Sequence, residues 1–146
     1  MKAHRSRVDP QLAAAEALIR ARAERLTAPR SAVLAALLNA DAPLTHHEVE
    51  AALRPRAPVD RVTVYRVLEW LVDRDLAHRI AGDDRTWRFR ANSAPGSAPH
   101  AHFSCTGCGR TVCLDSVTLP RRVRVPEGFR PDALELTVRG RCARCH

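Results

Sequence analysis

Apolar residues recur at helical spacing in the first part of the chain. They predict one helix over residues 10–26, where Asp9 can cap the first turn and Pro10 suits the first helical position. They predict a second helix over about residues 29–39. The apolar positions of that second helix are Val33, Leu34, Leu37 and Leu38. The sequence therefore begins with two predicted helices.

Two more helices are predicted after a short turn. Thr45 and Glu48 stand three residues apart, as in a capping box, and predict the start of a helix that ends before Pro55. Asp60 can cap the next helix, which covers about residues 60–73 and is amphipathic. Its apolar stripe consists of Val64, Leu68, Leu71 and Val72, with Val67 beside them. Short helices in succession, the last one amphipathic and basic, are typical of a helix-turn-helix.

The apolar pattern then changes from helical spacing to short strands. Residues 77–90 predict a hairpin with its turn at Gly82, Asp83 and Asp84, and such a hairpin after a recognition helix is a wing. The small residues and prolines of 91–99 predict a linker. Residues 100–146 contain the short β-like runs HAHFSC, RTVCLD, RVRV and ALELTVRG. The predicted class is α+β, with a winged helix-turn-helix domain over 1–90, a hinge over 91–99 and a second small domain over 100–146.

Charge adds a candidate partner. The formal net charge is +8 at pH 7, from 24 basic and 16 acidic residues, and this favours a polyanion such as nucleic acid. A generic basic surface is the alternative, because the excess is split evenly between the two predicted domains. The chain has no run of about 18 apolar residues that could span a membrane, and its first residues lack the apolar segment of a secretory signal. We therefore expect a cytoplasmic protein that does not bind membranes.

Four of the five cysteines form two C-x-x-C pairs, Cys105 with Cys108 and Cys142 with Cys145. Each pair can place two thiolates one metal-ligand separation apart, and two pairs supply the tetrahedral four-thiolate set that zinc prefers. A redox dithiol is the alternative, but neither pair opens a helix after a strand. With four protein ligands the site has no open position, so we predict a structural zinc that contributes to folding.

A second cluster of candidate ligands stands beside the first cysteine pair. His100 and His102 share one strand face because residues two apart point the same way. If the next strand returns antiparallel, His102 faces Cys113 and His100 faces Asp115. His78, at the start of the wing, is a further candidate. A lone histidine is often a surface residue and Cys113 could be a small buried hydrophobe, but together these nitrogen and sulfur donors suit zinc better than Mn(II) or Fe(II).

Three motifs in register give the chain a resemblance that extends from about Leu26 to Cys145. They are TVYRVLEWLVDRDL in the predicted fourth helix, then H-x-H-F-x-C-x-x-C-G, and finally G-x-C-x-x-C. Together they resemble the ferric uptake regulator family. The resemblance implies a dimeric, metal-dependent, DNA-binding repressor, in which residues 100–146 form a small α/β dimerisation domain with a four-cysteine zinc site.

The resemblance also assigns roles to particular residues. The structural zinc ligands correspond to Cys105, Cys108, Cys142 and Cys145. The regulatory ligands correspond to His100 and His102, with His78 at the wing position that supplies a ligand in zinc-sensing members. We complete the regulatory set with Cys113 and keep Asp115 as a possible ligand. The candidate DNA contacts on the fourth helix are Arg61, Thr63, Tyr65 and Arg66, and wing arginines can add phosphate contacts.

Departures from the family pattern favour a zinc-sensing branch similar to the zinc uptake regulators. Iron and peroxide sensors usually carry a histidine before the third helix, where this chain has Pro43, and a carboxylate where it has Cys113. Pro99 and Ala101 stand where many members interleave histidine and aspartate. We therefore expect one structural and one regulatory zinc ion per chain.

The function predicted from the sequence is that of a zinc-responsive repressor. It would bind an inverted-repeat operator in double-stranded DNA as a metal-loaded homodimer and control genes of zinc uptake and homeostasis. The alternatives are an iron-, manganese- or peroxide-sensing regulator of the same family, or a zinc-ribbon DNA-binding module without a sensing role. An enzyme built on His100, His102 and Cys113 is disfavoured, because the sequence offers no nearby glutamate as general base and no H-E-x-x-H motif.

Overall fold

The computed structural model describes residues 9–82, 84–92, 100–120, 122–131 and 134–146. The chain divides into two compact units. One comprises Met1–Ile80 and Trp87–Pro95, and the other comprises Ala81–Thr86 and Gly96–His146. Within the described ranges, none of the helices has both the length and the apolar character needed to cross a membrane.

Four helices form most of the first unit: α1 (Pro10–Ala21), α2 (Ala28–Asn39), α3 (His46–Leu53) and α4 (Arg61–Asp73). Each begins with a polar side chain that accepts a hydrogen bond from an N–H of the first turn, which satisfies part of the unpaired helix start. The capping residues are Asp9, Thr27, Thr45 and Asp60. The capping box predicted at Thr45 and Glu48 is confirmed, since both of its hydrogen bonds are present.

The first helix is shorter than the sequence predicts. We expected residues 10–26, but α1 ends at Ala21. Ala23 has a φ of 54°, a left-handed conformation that an alanine adopts at a cost and that no α-helix continues through. The alanine-rich sequence has no glycine or proline at the point where α1 ends. The predicted end of this helix at residue 26 was therefore wrong.

The hydrophobic core of the first unit lies where the four helices meet the sheet. The largest completely buried side chains come from α1, α2, α3 and α4, which converge on this core. They are Ile19, Val33, Leu34, Val49, Val64, Leu68 and Leu71. Phe89 packs against this cluster from the hairpin. The apolar stripe predicted for α4 is thus confirmed as its buried face.

A three-stranded sheet completes the first unit, with strands β1 (Leu44–Thr45), β2 (Ala77–Ala81) and β3 (Trp87–Ala91) in the order β1-β3-β2. β2 and β3 are the predicted hairpin. At the tip the Gly82 N–H donates to the Thr86 carbonyl at 3.1 Å, and Asp83 lies outside the described residues. β1 pairs antiparallel with β3 and was not predicted, because two residues carry no periodicity.

The second unit contains the strands β4 (His100–Cys105), β5 (Thr111–Thr118) and β6 (Thr137–Gly140), in the order β5-β4-β6. β4 runs antiparallel to β5 and parallel to β6. Helices and sheets together confirm the α+β class, although among the residues described in this unit only strands are assigned. Residues 122–125 do not form the strand that the alternation RVRV predicts, and they pair with none of the described strands.

The register between β4 and β5 confirms one predicted pair and corrects another. His102 lies opposite Cys113, as expected. His100 lies opposite Thr118 and not opposite Asp115, because the register shifts between His100 and Ala101. A shift of this kind is a β-bulge, in which extra residues on one strand are left without a partner. Asp115 falls in that stretch and is exposed.

Candidate metal sites and DNA-binding helix

The four predicted thiol ligands converge in the second unit. The sulfur atoms of Cys105, Cys108, Cys142 and Cys145 all lie within 4.8 Å of one another. The Sγ atoms of Cys108 and Cys142 are 3.8 Å apart. A tetrahedral zinc site with Zn–S bonds of about 2.3 Å has S–S edges of about 3.8 Å. The geometry of the cluster therefore fits a tetrahedral metal ion.

Two tight turns hold these thiols, and the parallel pairing of β4 with β6 brings the turns together. In the first turn the Gly109 N–H donates to the Cys105 carbonyl at 2.9 Å, and in the second the Cys145 N–H donates to the Cys142 carbonyl at 2.8 Å. Cys105 lies opposite Gly140, the residue from which the chain enters the second turn. The C-x-x-C spacing predicted each turn, and the pairing of β4 with β6 brings the two turns close together.

Gly107 is required by the close approach of the two turns. A Cβ atom at this position would lie 2.9 Å from Cys145 Cβ and 3.1 Å from Cys145 Sγ. Carbon atoms in ordinary contact are about 3.5–4.0 Å apart. Any side chain at position 107 would therefore force Cys145 or the first turn to move.

Hydrogen bonds shift the pKa values of two of the four thiols in opposite directions. The pKa of Cys105 is lowered to about 6, first because the Cys142 backbone N–H donates to its sulfur, at 3.3 Å, and then because of the Cys108 and Gly107 N–H groups. The pKa of Cys145 is raised to about 12, because its thiol is hydrogen-bonded to the sulfur atoms of Cys142, Cys108 and Cys105. The lowered pKa thus favours a thiolate at Cys105, whereas the raised pKa resists one at Cys145. A divalent cation removes that resistance, since thiolates are its ligands.

A histidine and a cysteine lie together on the face of β4 opposite that of Cys105. His102 is three residues from Cys105, so the two side chains leave the strand on opposite sides. A ring nitrogen of His102 lies within 4.8 Å of the Cys113 sulfur on β5. The side chain of His100 lies outside the described part of the structure. The prediction that the fifth cysteine faces an imidazole is confirmed.

His78 lies in the first unit, on β2, and has a polar partner that sequence analysis missed. Its Nδ1 atom is 2.6 Å from the Oδ1 atom of Asn92. Asn92 follows directly after β3 and is buried, and its N–H donates to the Leu76 carbonyl at 2.9 Å. The sequence placed Asn92 in a linker of small residues, and a lone amide side chain there gave little signal.

The exposed face of α4 carries the candidate DNA contacts. Arg61, Tyr65 and Arg66 are exposed, Tyr65 to 58%. The Thr63 hydroxyl donates to the Asp60 carboxylate at 2.6 Å, and the Thr63 N–H donates to it at 3.0 Å. These two hydrogen bonds lower the pKa of Asp60 below its ordinary value. Thr63 thus helps to fix the start of the helix.

A neighbour on α3 supports this face. The Nε2 atom of His46 lies 3.1 Å from the Arg61 carbonyl oxygen, and its ring centroid is 5.7 Å from that of Tyr65. His46 is half-buried in this contact. Only the folded arrangement of the two helices reveals its role.

A winged helix with an exposed basic helix face, together with a four-cysteine cluster, defines the class of metal-binding, winged-helix regulators. The model of the ferric uptake regulator family matches residues 21–137, well over half of the chain. The chain therefore belongs to the ferric uptake regulator family. It is a metal-responsive transcriptional regulator and not an enzyme. None of the curated protein sequences matches the chain significantly.

Solved structures share the fold at low sequence identity. A zinc uptake regulator solved with zinc and DNA has a TM-score of 0.67 at 20% identity, over 91% of this chain and 91% of its own. The holo form of the regulator XcZur has a TM-score of 0.65 at 24% identity, over 94% and 97%. The ferric uptake regulator of Helicobacter pylori, described as having three functional metal-binding sites, has a TM-score of 0.63 at 16% identity, over 92% and 91%.

Proposed function

We propose that the chain is a zinc-responsive repressor that binds operator DNA as a metal-loaded homodimer and controls genes of zinc uptake and homeostasis. The observation that carries the proposal is the pairing of His102 with Cys113 on the face of β4 opposite the four-cysteine cluster. A thiolate beside an imidazole is a soft donor pair that suits zinc better than Mn(II) or Fe(II). The similar fold of a regulator solved with zinc and DNA supports the same function.

Two metal sites with different tasks follow from this proposal. A structural zinc is bound by Cys105, Cys108, Cys142 and Cys145, and joins the turns at the ends of β4 and β6. A regulatory zinc is bound by His78, His100, His102 and Cys113. Asp115 is a further candidate ligand, although its place in the bulge removes the pairing with His100 on which that suggestion was based.

DNA recognition is assigned to α4. Its exposed Arg61, Tyr65 and Arg66 can contact base edges and phosphates when the helix lies in the major groove. Thr63 acts at the start of the same helix through its bonds to Asp60. In a homodimer two such helices read an inverted repeat, and the dimer sets the spacing of the half-sites.

Exposed apolar side chains in the second unit support the homodimer. Five large hydrophobic residues of this unit are 39% to 69% exposed in a single chain. They are Val123, Val125, Phe129, Leu136 and Val138. Apolar surface of this kind marks interaction sites when it is contiguous. Burial of these residues against a second copy would remove them from water.

The regulatory ligands come from both predicted domains, and this links metal binding to DNA binding. His78 belongs to the winged-helix domain, whereas His102 and Cys113 belong to the dimerisation domain. Ligands from both domains bind one ion only in a domain arrangement that brings them together. If that arrangement also fits the operator, zinc and DNA favour each other reciprocally, with a typical coupling of about 1–3 kcal/mol.

The experiment measures bound zinc per chain and affinity for an inverted-repeat DNA, before and after a mild chelator. We expect two zinc ions, of which one is removable and required for tight DNA binding. Cys113→Ser should lose the removable ion, whereas Thr118→Ser, an equally small change on the same strand, should keep it. A single tightly held zinc, with DNA binding unaffected by the chelator, would contradict the sensor function. The chain would then be a DNA-binding module that does not respond to metal. Restoration of DNA binding by Fe(II) or Mn(II), but not by Zn(II), would favour another sensor of the family.

A further inference from the structure

Asn92 is a buried polar residue that is neither a proposed metal ligand nor a proposed DNA contact. It is 8% exposed and follows directly after β3. Its backbone N–H donates to the Leu76 carbonyl at 2.9 Å, which fixes its backbone beside the start of β2. Its side-chain oxygen lies 2.6 Å from Nδ1 of His78. A buried amide in such close contact with a candidate ligand calls for a functional explanation.

The orientation of the Asn92 amide is determined by its other partner. Its Nδ2 atom donates to the Asp75 carbonyl at 2.9 Å and to Asp75 Oδ1 at 3.1 Å. Both of these partners are acceptors, so the nitrogen must face Asp75 and the oxygen must face His78. Since an amide oxygen only accepts, Nδ1 of His78 must carry the proton. In that tautomer the lone pair of the ring is on Nε2.

Asp75 is itself held firmly. It occupies a left-handed conformation with φ 55° in the turn after α4. The Arg22 guanidinium donates to its carbonyl at 3.1 Å and to the Arg74 carbonyl at 2.6 Å, and lies 3.7 Å from its carboxylate. A continuous chain of polar contacts therefore runs from Arg22 through Asp75 and Asn92 to His78.

We propose that Asn92 is a positioning residue that fixes the tautomer and the ring direction of His78, so that Nε2 is presented to the regulatory metal ion. This inference rests on the proposed function, in which His78 is a ligand of that ion. Histidine ligands in metal sites almost always donate their other N–H to a carbonyl or a carboxylate. Loss of such a partner typically lowers metal affinity by about 10–100-fold.

The first test needs no variant and no regulatory metal ion. Nitrogen-15 NMR of His78 in the full-length chain, with the removable zinc withdrawn and the structural zinc retained, reports which ring nitrogen carries the proton. We expect the tautomer protonated on Nδ1. Predominance of the tautomer protonated on Nε2 would overturn the proposal, whatever the zinc measurements show.

The second test compares variants in a competition assay for the removable zinc. Asn92→Ala should lower that affinity by about 10–100-fold and mix the His78 tautomers. Asp9→Ala removes a cap and an ion pair with Arg56 elsewhere in the first unit, and should leave zinc affinity unchanged.

The failures of the two proposals are distinguishable. If His78→Ala loses the removable zinc but Asn92→Ala keeps the wild-type affinity and tautomer, the role of Asn92 is refuted and the sensor function stands. If His78→Ala keeps the removable zinc, His78 is not a ligand and both assignments fail. If Asn92→Ala does not fold, the His78 tautomer of the wild-type chain decides, because a proton on Nδ1 supports the proposal and a proton on Nε2 contradicts it.

Discussion

Substitution of Gly107 by alanine tests the packing of the four-cysteine cluster most directly. The added Cβ would lie 2.9 Å from Cys145 Cβ and 3.1 Å from its sulfur. Since carbon atoms in contact prefer about 3.5–4.0 Å, Cys145 must move by roughly 0.6–1 Å or the first turn must open. Metal–ligand distances tolerate only about 0.2 Å. The displacement is therefore several times larger than the cluster can absorb without a weaker bond.

The expected cost follows from this overlap. Forcing an extra methyl group into a packed site typically costs about 1–3 kcal/mol. Because a metal holds the four sulfur atoms at this spacing, whereas turns without a metal can relax apart, the cost should fall mainly on the metal-bound form and lower the affinity for the structural metal by roughly 5–150-fold. Competition for zinc with a coloured chelator measures this change in affinity, and the time course of transfer compares the rates of zinc release from the wild type and from Gly107→Ala.

Gly128 provides the matched control. A Cβ at Gly128 would meet nothing within 4 Å, although its φ of 85° makes alanine locally strained. Gly128→Ala should therefore release zinc at the wild-type rate even if its melting temperature falls. Wild-type zinc release from Gly107→Ala would refute the reasoning, because it would mean that the two turns separate without weakening the site.

Three further predictions concern the first unit. Thr45→Ala removes the side chain that accepts from the Glu48 N–H at 3.2 Å, and should lower the free energy of unfolding by about 1 kcal/mol in urea denaturation. The pKa of Asp60 is lowered first by the Thr63 hydroxyl, so its stabilising effect is complete above the unfolded value of about 3.9 and is lost as the pH falls through the lower folded value. Thr63→Val should bring that pKa back toward 3.9 in an NMR titration, and an unchanged value would contradict the assignment. Arg66→Ala should weaken DNA binding and, if Arg66 contacts a phosphate, flatten the dependence of log K on log[salt] by about 0.9 per contact. An unchanged slope and affinity would remove Arg66 from the interface.

Local signals account for the parts of the fold that could be predicted from the sequence. The caps at Thr45 and Asp60 depend on residues three positions apart, and their hydrogen bonds are formed within one turn. The C-x-x-C spacing likewise determines each metal-binding turn by itself. The antiparallel return that places His102 opposite Cys113 follows from the length of the turn between β4 and β5. Each of these inferences needs only neighbouring residues.

The missed features depend on tertiary structure. The bulge that moves His100 from Asp115 to Thr118 has no pattern of its own in the sequence. The contact of His46 with α4 joins residues 15 positions apart, and the contact of Asn92 with His78 joins residues 14 positions apart. Such pairs are set by the packing of separate elements, which alternation and helical spacing do not encode.

The parallel pairing of β4 with β6 has a consequence for the amount of the protein in the cell. Cys108 and Cys142 are 34 positions apart, and closing a loop of that size costs about 3 kcal/mol of chain entropy beyond a constant term. With the proposed zinc bound, the metal offsets that entropy in the way a disulfide does in a secreted domain. Metal binding of this kind is itself folding free energy. A cell depleted of zinc would then lose the metal-bound form of the regulator and would also lose regulator molecules to proteolysis. The supply of zinc would therefore set the number of regulator molecules and not only their affinity for DNA.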